Sequence, residues 1–371
     1  MQDTHGGNIG KICSAYGLAP EEVVDFSANI NPLGFPAEIE NAICSNINAL
    51  LHYPDPNCCE LKKKLALRYD CKESNIVMGN GSTELFYLIP RAVLPERGFL
   101  FQPTFTEFPR ALKCAGVSIE EIICRDDDLF KIETNRLSHY IDKFHVQETN
   151  SLCPHSSFKN IIFLCNPNNP TGHLIEKGDI IDLTQNYPDA LIVIDEAFMD
   201  LTSDPERYSV IDLAAKADNL IVVRSLTKLY GIPGIRLGFL VANKNITDKL
   251  LLQKEPWSVN SFAQFAGTVA VDDTKFVTES RAYTNIEKDF LFNELSKIEG
   301  IYSFKPSVNF ILIKILDMEL TASDLFDRLI KSGIIIRNCS NFVALSEKYF
   351  RVAVRKREEN IRLITALKDA I

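Results

Sequence analysis

The chain has 371 residues, 46% of them apolar and 24% charged, with a formal net charge of −9. That length and composition suit a globular chain of two domains. The acidic balance and the lack of a long basic cluster argue against nucleic acid or an anionic membrane as partner, and no apolar run reaches the roughly 18 residues that a membrane helix needs.

In chain order, Met1 to Gly10 is polar and lacks the apolar core of a signal peptide, so a cytoplasmic location is expected. The motifs T-H-G-G-N (Thr4–Asn8) and D-F-S-A-N-I-N-P-L-G (Asp25–Gly34) predict irregular backbone whose polar side chains can turn inward. Phe26, Ile30 and Leu33 give this segment apolar anchors, and an arm covering the substrate is expected over residues 1–35. Helical spacing from Pro36 to Leu51 breaks at H-Y-P-D-P (His52–Pro56), and Cys58 to Tyr69 predicts the next helix. A strand over Asn75–Gly79 runs into a glycine turn (Asn80–Glu84) that opens an apolar helix from Leu85 to Val93. Free backbone N–H groups at such an opening, with Ser82 and Thr83 beside them, suit an anion. The short strand Phe99–Phe101 leads to Phe105, an aromatic that serves either as core or as a stacking face for a flat ring.

Val117 to Ile123 predicts a further strand. The segment 124–159 is polar, with a weak amphipathic helix around Leu137 to Phe144, and its histidines His139, His145 and His155 are expected at the surface. Ile161–Cys165 then predicts a buried strand ending in an Asn- and Pro-rich turn, Asn166–Gly172. After a helix over Glu176–Asn186, the strand Ala190–Asp195 ends on a carboxylate. Burying that acid is costly unless a cation meets it, and a protonated pyridine nitrogen is such a cation. A helix over Val210–Ala217 precedes the strand Leu220–Val223, which ends in a turn offering Ser225, Thr227 and Lys228, with Arg236 eight residues on. Two hydroxyls and a guanidinium around a lysine form a phosphate cradle beside an amine that traps aldehydes, as pyridoxal 5′-phosphate requires.

The βαβ alternation predicts an α/β fold with a mainly parallel sheet in a large domain over 36–255. Ligands are expected at the carboxyl ends of its strands, where Asn169, Asp195 and Lys228 fall. Long helices and the short strands Asn309–Lys314, Gly333–Arg337 and Phe350–Val354 predict a smaller α+β domain over 256–371. It carries Arg337 and Arg351 on neighbouring strand ends, suited to carboxylate or phosphate. The ten cysteines, without a C-x-x-C pair, are expected to be reduced and mostly buried, and no metal is expected.

Three motifs in this order, N-P-T-G (Asn169–Gly172), D-E-A (Asp195–Ala197) and S-L-T-K with a downstream R-L-G (Ser225–Lys228, Arg236–Gly238), resemble those of the fold-type I pyridoxal-phosphate enzymes of the aspartate aminotransferase superfamily. The resemblance covers nearly the whole chain and implies a mostly parallel seven-stranded sheet. It implies that Lys228 carries the cofactor, Asp195 meets the ring nitrogen and Asn169 donates to the ring hydroxyl. Ser82, Thr83, Ser225, Thr227 and Arg236 would grip the cofactor phosphate, and Phe105 would stack on the ring. Tyr53 would reach the phosphate of a neighbouring subunit's cofactor, which implies a homodimer, and Arg351 would hold the substrate carboxylate.

Two branches of the superfamily are similar to this chain, the histidinol-phosphate aminotransferases and the threonine-phosphate decarboxylases of the cobalamin pathway. T-H-G-G-N, D-F-S-A-N-I-N-P-L-G, D-E-A-F-M-D and I-R-N-C-S-N-F resemble the decarboxylases. By that resemblance His5, Asn29 and Arg337, with Asn169 and Arg351, surround the phosphate and carboxylate of a small phosphorylated amino acid. The expected reaction is loss of CO₂ from threonine phosphate to give aminopropanol phosphate, or from serine phosphate to give ethanolamine phosphate. The alternative is transamination of histidinol phosphate, but the aminotransferases have a cofactor-contacting tyrosine where this chain has Phe198. A third class, non-catalytic sensor domains of transcription regulators, carries a basic helix-turn-helix extension that is not expected here.

Overall fold

The computed structural model describes residues 5–138, 140–141 and 158–371. The N-terminal segment opens with α1 (Ile9–Tyr16) and a two-residue strand, β1 (Val24–Asp25), and α2 (Ala37–Ser45) and α3 (Cys59–Arg68) follow. Seven strands build the large sheet: β2 (Ile76–Asn80), β3 (Arg97–Gln102), β4 (Ser118–Ile123), β5 (Asn160–Cys165), β6 (Ala190–Asp195), β7 (Leu220–Ser225) and β8 (Leu237–Ala242). Their spatial order is β2-β8-β7-β6-β5-β3-β4, parallel from β7 to β4.

The central strands are apolar on both faces because both faces are covered. Ile162, Leu164, Ile192, Ile194 and Val222 enter one core, and the alternate residues Ile161, Phe163, Leu191, Val193, Ile221 and Val223 enter the other.

Leu237–Ala242 is a strand that the sequence reading passes over as the end of the cradle loop. All six residues are buried, and β8 runs antiparallel to both β2 and β7. This reversal has a consequence for the site. The loop between β7 and β8 leaves the sheet and returns at the same end, so Lys228 and Arg236 stand together there. Asn80, the last residue of β2, pairs with Leu237 at that same end. The helix that follows, α4 (Gly81–Val93), therefore starts beside Arg236, and α5 (Glu107–Cys114) follows β3.

A second sheet takes β9 (Ile301–Ser303), β10 (Phe310–Ile315), β12 (Arg337–Asn338) and β13 (Tyr349–Ala353) in the antiparallel order β12-β13-β10-β9, while β11 (Ile334–Ile335) pairs in parallel with β1. The expected strand Gly333–Arg337 is thus split between two sheets. Phe26 is buried with Ile334, Ile336, Phe350 and Val352, so the N-terminal segment is anchored in the core of the C-terminal half. The helix Ser261–Ala270 packs on α2 and α3.

Of the helix expected around Leu137 to Phe144, residues Leu137, Ser138, Tyr140 and Ile141 are helical, and the rest lies outside the described residues, as do His139, His145 and His155. The cysteines among the described residues are free thiols. Cys13, Cys58, Cys124, Cys165 and Cys339 are buried, whereas Cys44, Cys59 and Cys114 are exposed. No helix among the described residues is long and apolar enough to cross a membrane.

Candidate active site

A cleft of about 450 Å³ opens at the carboxyl ends of β5, β6 and β7, within the range of small-molecule sites, roughly 300–1,000 Å³. Its wall includes His5, Asn29, Ser82, Thr83, Phe105, Asn169, Asp195, Ser225, Thr227, Lys228, Arg236, Arg337 and Arg351. All the site residues expected from the sequence are therefore brought together, with one exception. Tyr53 lies elsewhere, 83% exposed, its ring 5.1 Å from that of the half-exposed Trp257.

Part of the cleft wall gathers groups suited to a phosphate. Gly81 sits at φ +74, and a Cβ there would lie 2.5 Å from an Arg236 Nη atom. Gly238 is as tight, since its Cβ would lie 2.5 Å from the Ser82 nitrogen. Glycine at both places lets the start of α4, the Arg236 guanidinium and β8 close on one another. Ser225 Oγ and Thr227 Oγ1, 2.8 Å apart, complete the cradle. Backbone N–H groups, hydroxyls and one guanidinium are the donors a phosphomonoester needs.

Next to the cradle stands Lys228, in the short helix Leu226–Leu229, with Nζ 5.9 Å from the centre of the Phe198 ring. Burial, with the charges of Arg351 and Arg236, pulls its pKa down to about 8, so the neutral amine is accessible near neutral pH. Asp195, at the tip of β6, is buried, and burial pushes its carboxyl up to about 7. Its Oδ1 accepts from the Ala197 N–H at 3.0 Å, and Cys165 Sγ lies 3.8 Å from Oδ2. A buried carboxylate so poorly matched inside the protein suits a cationic ring nitrogen from a ligand. Behind it, the buried Glu196 meets Arg224 at 2.7 Å and accepts from Ser209 at 2.7 Å. That ion pair ties the ends of β6 and β7 together, holding Asp195 and Lys228 in register.

Two further arginines add cationic charge to the cleft wall. Arg337 and Arg351 are directly opposite each other on β12 and β13, and both are buried. Arg351 donates to Asn169 Oδ1 and, at 2.9 Å, to the Ser27 carbonyl. It makes no ion pair among the described residues, and its Nε is buried without a hydrogen-bond partner. Burial, reinforced by the charge on Arg337, pulls the Arg351 pKa down to about 10. Arg337 donates to Asn341 Oδ1 at 2.7 Å. Asn29 is buried, and its Oδ1 has no partner. A buried guanidinium without an ion pair, as at Arg351, is stabilised by an anionic ligand.

Phe105 is half-buried, makes a T-shaped contact with Phe108 at 5.5 Å and lines the cleft. Three residues on the cleft wall escaped the sequence reading, Thr106, Glu107 and Arg110 around the start of α5, while Phe342, the end of the I-R-N-C-S-N-F motif, joins the wall after β12. An acid in a helix's first turn is too common a feature to have marked Glu107 as part of a site.

The donor set fits pyridoxal 5′-phosphate: a phosphate cradle, a low-pKa lysine, a buried acid and an aromatic face in one cleft. A sequence model described as aminotransferase class I and II matches residues 21–367. A threonine-phosphate decarboxylase of Salmonella typhimurium is 32% identical over 100% of this chain and 97% of its own length. A bifunctional adenosylcobalamin-biosynthesis protein of Leptospira interrogans is 33% identical over 98% of this chain, which spans 41% of that longer protein. Among solved structures, the histidinol-phosphate aminotransferase of Clostridium acetobutylicum superimposes with a TM-score of 0.81 at 32% identity, covering 93% of this chain and 98% of that one.

Proposed function

The chain belongs to the class I and II aminotransferase family, and from that premise we propose that it decarboxylates L-threonine O-3-phosphate, or L-serine O-phosphate, in a pyridoxal-phosphate-dependent reaction. The products are (R)-1-amino-2-propanol phosphate or ethanolamine phosphate, the former serving as the linker of the cobalamin nucleotide loop. The observation that carries this reading is the buried pair Arg337 and Arg351, opposite each other on neighbouring strands and both on the cleft wall. With Arg236 committed to the cofactor phosphate, these two leave more cationic charge than one carboxylate requires, and a phosphorylated amino acid brings both a carboxylate and a phosphate.

When bound, pyridoxal phosphate supplies an aldehyde for the substrate amine and a protonated ring into which electrons released at Cα drain. Lys228 would hold it, Asp195 would keep its ring nitrogen protonated, and Ser82, Thr83, Ser225, Thr227 and Arg236 would hold its phosphate. Because Arg351 occupies Asn169 Oδ1, the Asn169 amide nitrogen is the group left to donate to the ring oxygen. Arg351 binds the substrate carboxylate, while Arg337, His5 and Asn29 receive its phosphate. With its carboxylate on Arg351 and its phosphate on Arg337, His5 and Asn29, the substrate would be oriented for loss of CO₂ from Cα, and Lys228, in its ammonium form, would be placed to deliver the proton that replaces CO₂ there.

Phe198 supports decarboxylation over transamination. Its ring packs at 5.2 Å on Phe310 and offers no hydroxyl on the lysine's side of the cleft. Transamination of histidinol phosphate is the second reading, favoured by the match to the Clostridium acetobutylicum aminotransferase. Tyr53 and Trp257, exposed away from the cleft, are consistent with a homodimer in which Tyr53 reaches the neighbouring subunit's cofactor phosphate.

Arg351→Ala tests the carrying observation. It should lower kcat/KM for threonine phosphate about a hundredfold or more while cofactor affinity stays within about threefold. Turnover close to the parent's would remove the basis for this assignment of the two arginines.

A further inference from the structure

Two carboxylates lie on the cleft wall, Asp195 and Glu107. Asp195 has a cationic ligand atom to meet. Glu107, by contrast, stands where an anionic substrate arrives, and like charges there oppose binding. Its charge is instead taken up within the protein. One oxygen accepts from the Tyr87 hydroxyl at 2.6 Å, and the other meets His5 Nε2 at 2.7 Å and lies 3.7 Å from Arg110. Burial alone would raise the Glu107 pKa, but the bonds from Tyr87 and His5 and the charges of His5 and Arg110 hold it below the usual range.

His5 belongs to the N-terminal arm, which is fastened at a second point. Gly6 lies so close to the Ser27 carbonyl that a Cβ would collide with it, and Gly7, at φ +85, donates its N–H to Ser27 Oγ at 2.8 Å. Ser27 is itself held, because its hydroxyl donates to Asp25 at 2.6 Å and its carbonyl accepts from Arg351 at 2.9 Å. The arm thus closes between α5 on one side and the carboxylate-binding arginine on the other.

We infer that Glu107 is a positioning residue for the substrate: it fastens His5, and through it the arm, so that the other ring nitrogen, Nδ1, meets the phosphomonoester. Glu107 does not touch the substrate. This inference rests on the proposed phosphorylated substrate for its consequence, but the fastening of the arm does not.

Two measurements on the cofactor-loaded enzyme separate these. Hydrogen–deuterium exchange of the peptide covering residues 5–17 reads the fastening directly. In Glu107→Gln its amides should exchange about tenfold faster than in the parent, and in Tyr87→Phe by a smaller factor in the same direction. Inorganic phosphate should slow exchange in the parent and lose most of that effect in Glu107→Gln. In steady-state assays with threonine phosphate, Glu107→Gln should raise KM about tenfold, by more than it lowers kcat. Gly6→Ala, which lifts the arm from Ser27 without altering Glu107, should reproduce both changes. Unchanged exchange in Glu107→Gln overturns the fastening, and faster exchange with an unchanged KM overturns the positioning role. If the parent turns over no threonine phosphate, the substrate reading fails, while the exchange data with inorganic phosphate still decide whether Glu107 holds the arm.

Discussion

Replacing Gly81 with alanine probes the cofactor cradle without deleting any of its donors. Two costs follow from the geometry, and they fall on different observables. At φ +74 an L side chain is disfavoured by roughly 1–2 kcal/mol in either liganded state. The new methyl would also lie 2.5 Å from an Arg236 Nη atom and 2.9 Å from its Cζ, so the guanidinium must swing away. A charge-assisted hydrogen bond to the phosphate is then lost or lengthened, worth about 1.5–3 kcal/mol. The backbone term should lower the Tm of the cofactor-free protein by roughly 1–3 °C. The guanidinium term should raise the cofactor Kd about ten- to a hundredfold, at about 1.4 kcal/mol per tenfold. Titrating cofactor-free protein with pyridoxal phosphate, followed by absorbance, measures the second, and thermal melts without cofactor measure the first. Gly234→Ala is the control, since a Cβ there meets nothing within 4 Å. Should Gly81→Ala bind pyridoxal phosphate within about threefold of the parent, the assignment of Arg236 to the phosphate is wrong.

Lys228 should capture the cofactor through its neutral amine. Because its pKa is lowered to about 8, that form accumulates as pH rises, and the capture rate should climb below about pH 8 and level above it. A rate still rising past pH 10 would mean an ordinary lysine, and borohydride reduction with peptide mapping should find the pyridoxyl group on Lys228 and no other lysine. Asp195→Asn should retain the cofactor yet lower kcat about a hundredfold or more, as expected when a buried charge pair loses one partner; near-parent kcat would leave the ring nitrogen without its assigned partner. Tyr53→Phe should weaken cofactor retention by roughly 0.5–1.5 kcal/mol, with sedimentation velocity reporting a dimer, and a catalytically competent monomer would contradict the proposed role of Tyr53.

Much of the site was legible because its chemistry sits at strand ends. Asn169, Asp195 and Lys228 each follow a run of apolar residues, and a polar group at the tip of a buried strand has to meet a ligand or the protein. The arginines were readable as anion partners on neighbouring strand ends, but their directly opposed register was not. Arg337 and Arg351 face each other only because β12 is a two-residue strand split from β11, which no periodicity reveals. The reversal at β8 was hidden for a related reason, since a run buried on both faces looks the same in either direction. Glu107 was missed because its neighbours in space, Tyr87 and His5, lie 20 and 102 residues away in sequence. The arm was expected to cover the substrate, but its anchoring through Phe26 in the C-terminal core depends on tertiary packing alone.

Transamination and decarboxylation differ in which bond at Cα stands perpendicular to the ring, and the products record that choice. The purified, cofactor-loaded protein should be incubated separately with threonine phosphate and with histidinol phosphate plus 2-oxoglutarate, and assayed for CO₂ and for glutamate. Stoichiometric CO₂ and aminopropanol phosphate from the first, without glutamate from the second, is the predicted result. Glutamate from the second without CO₂ from the first would make the protein a transaminase and contradict the reading of Arg337, Arg351 and Phe198.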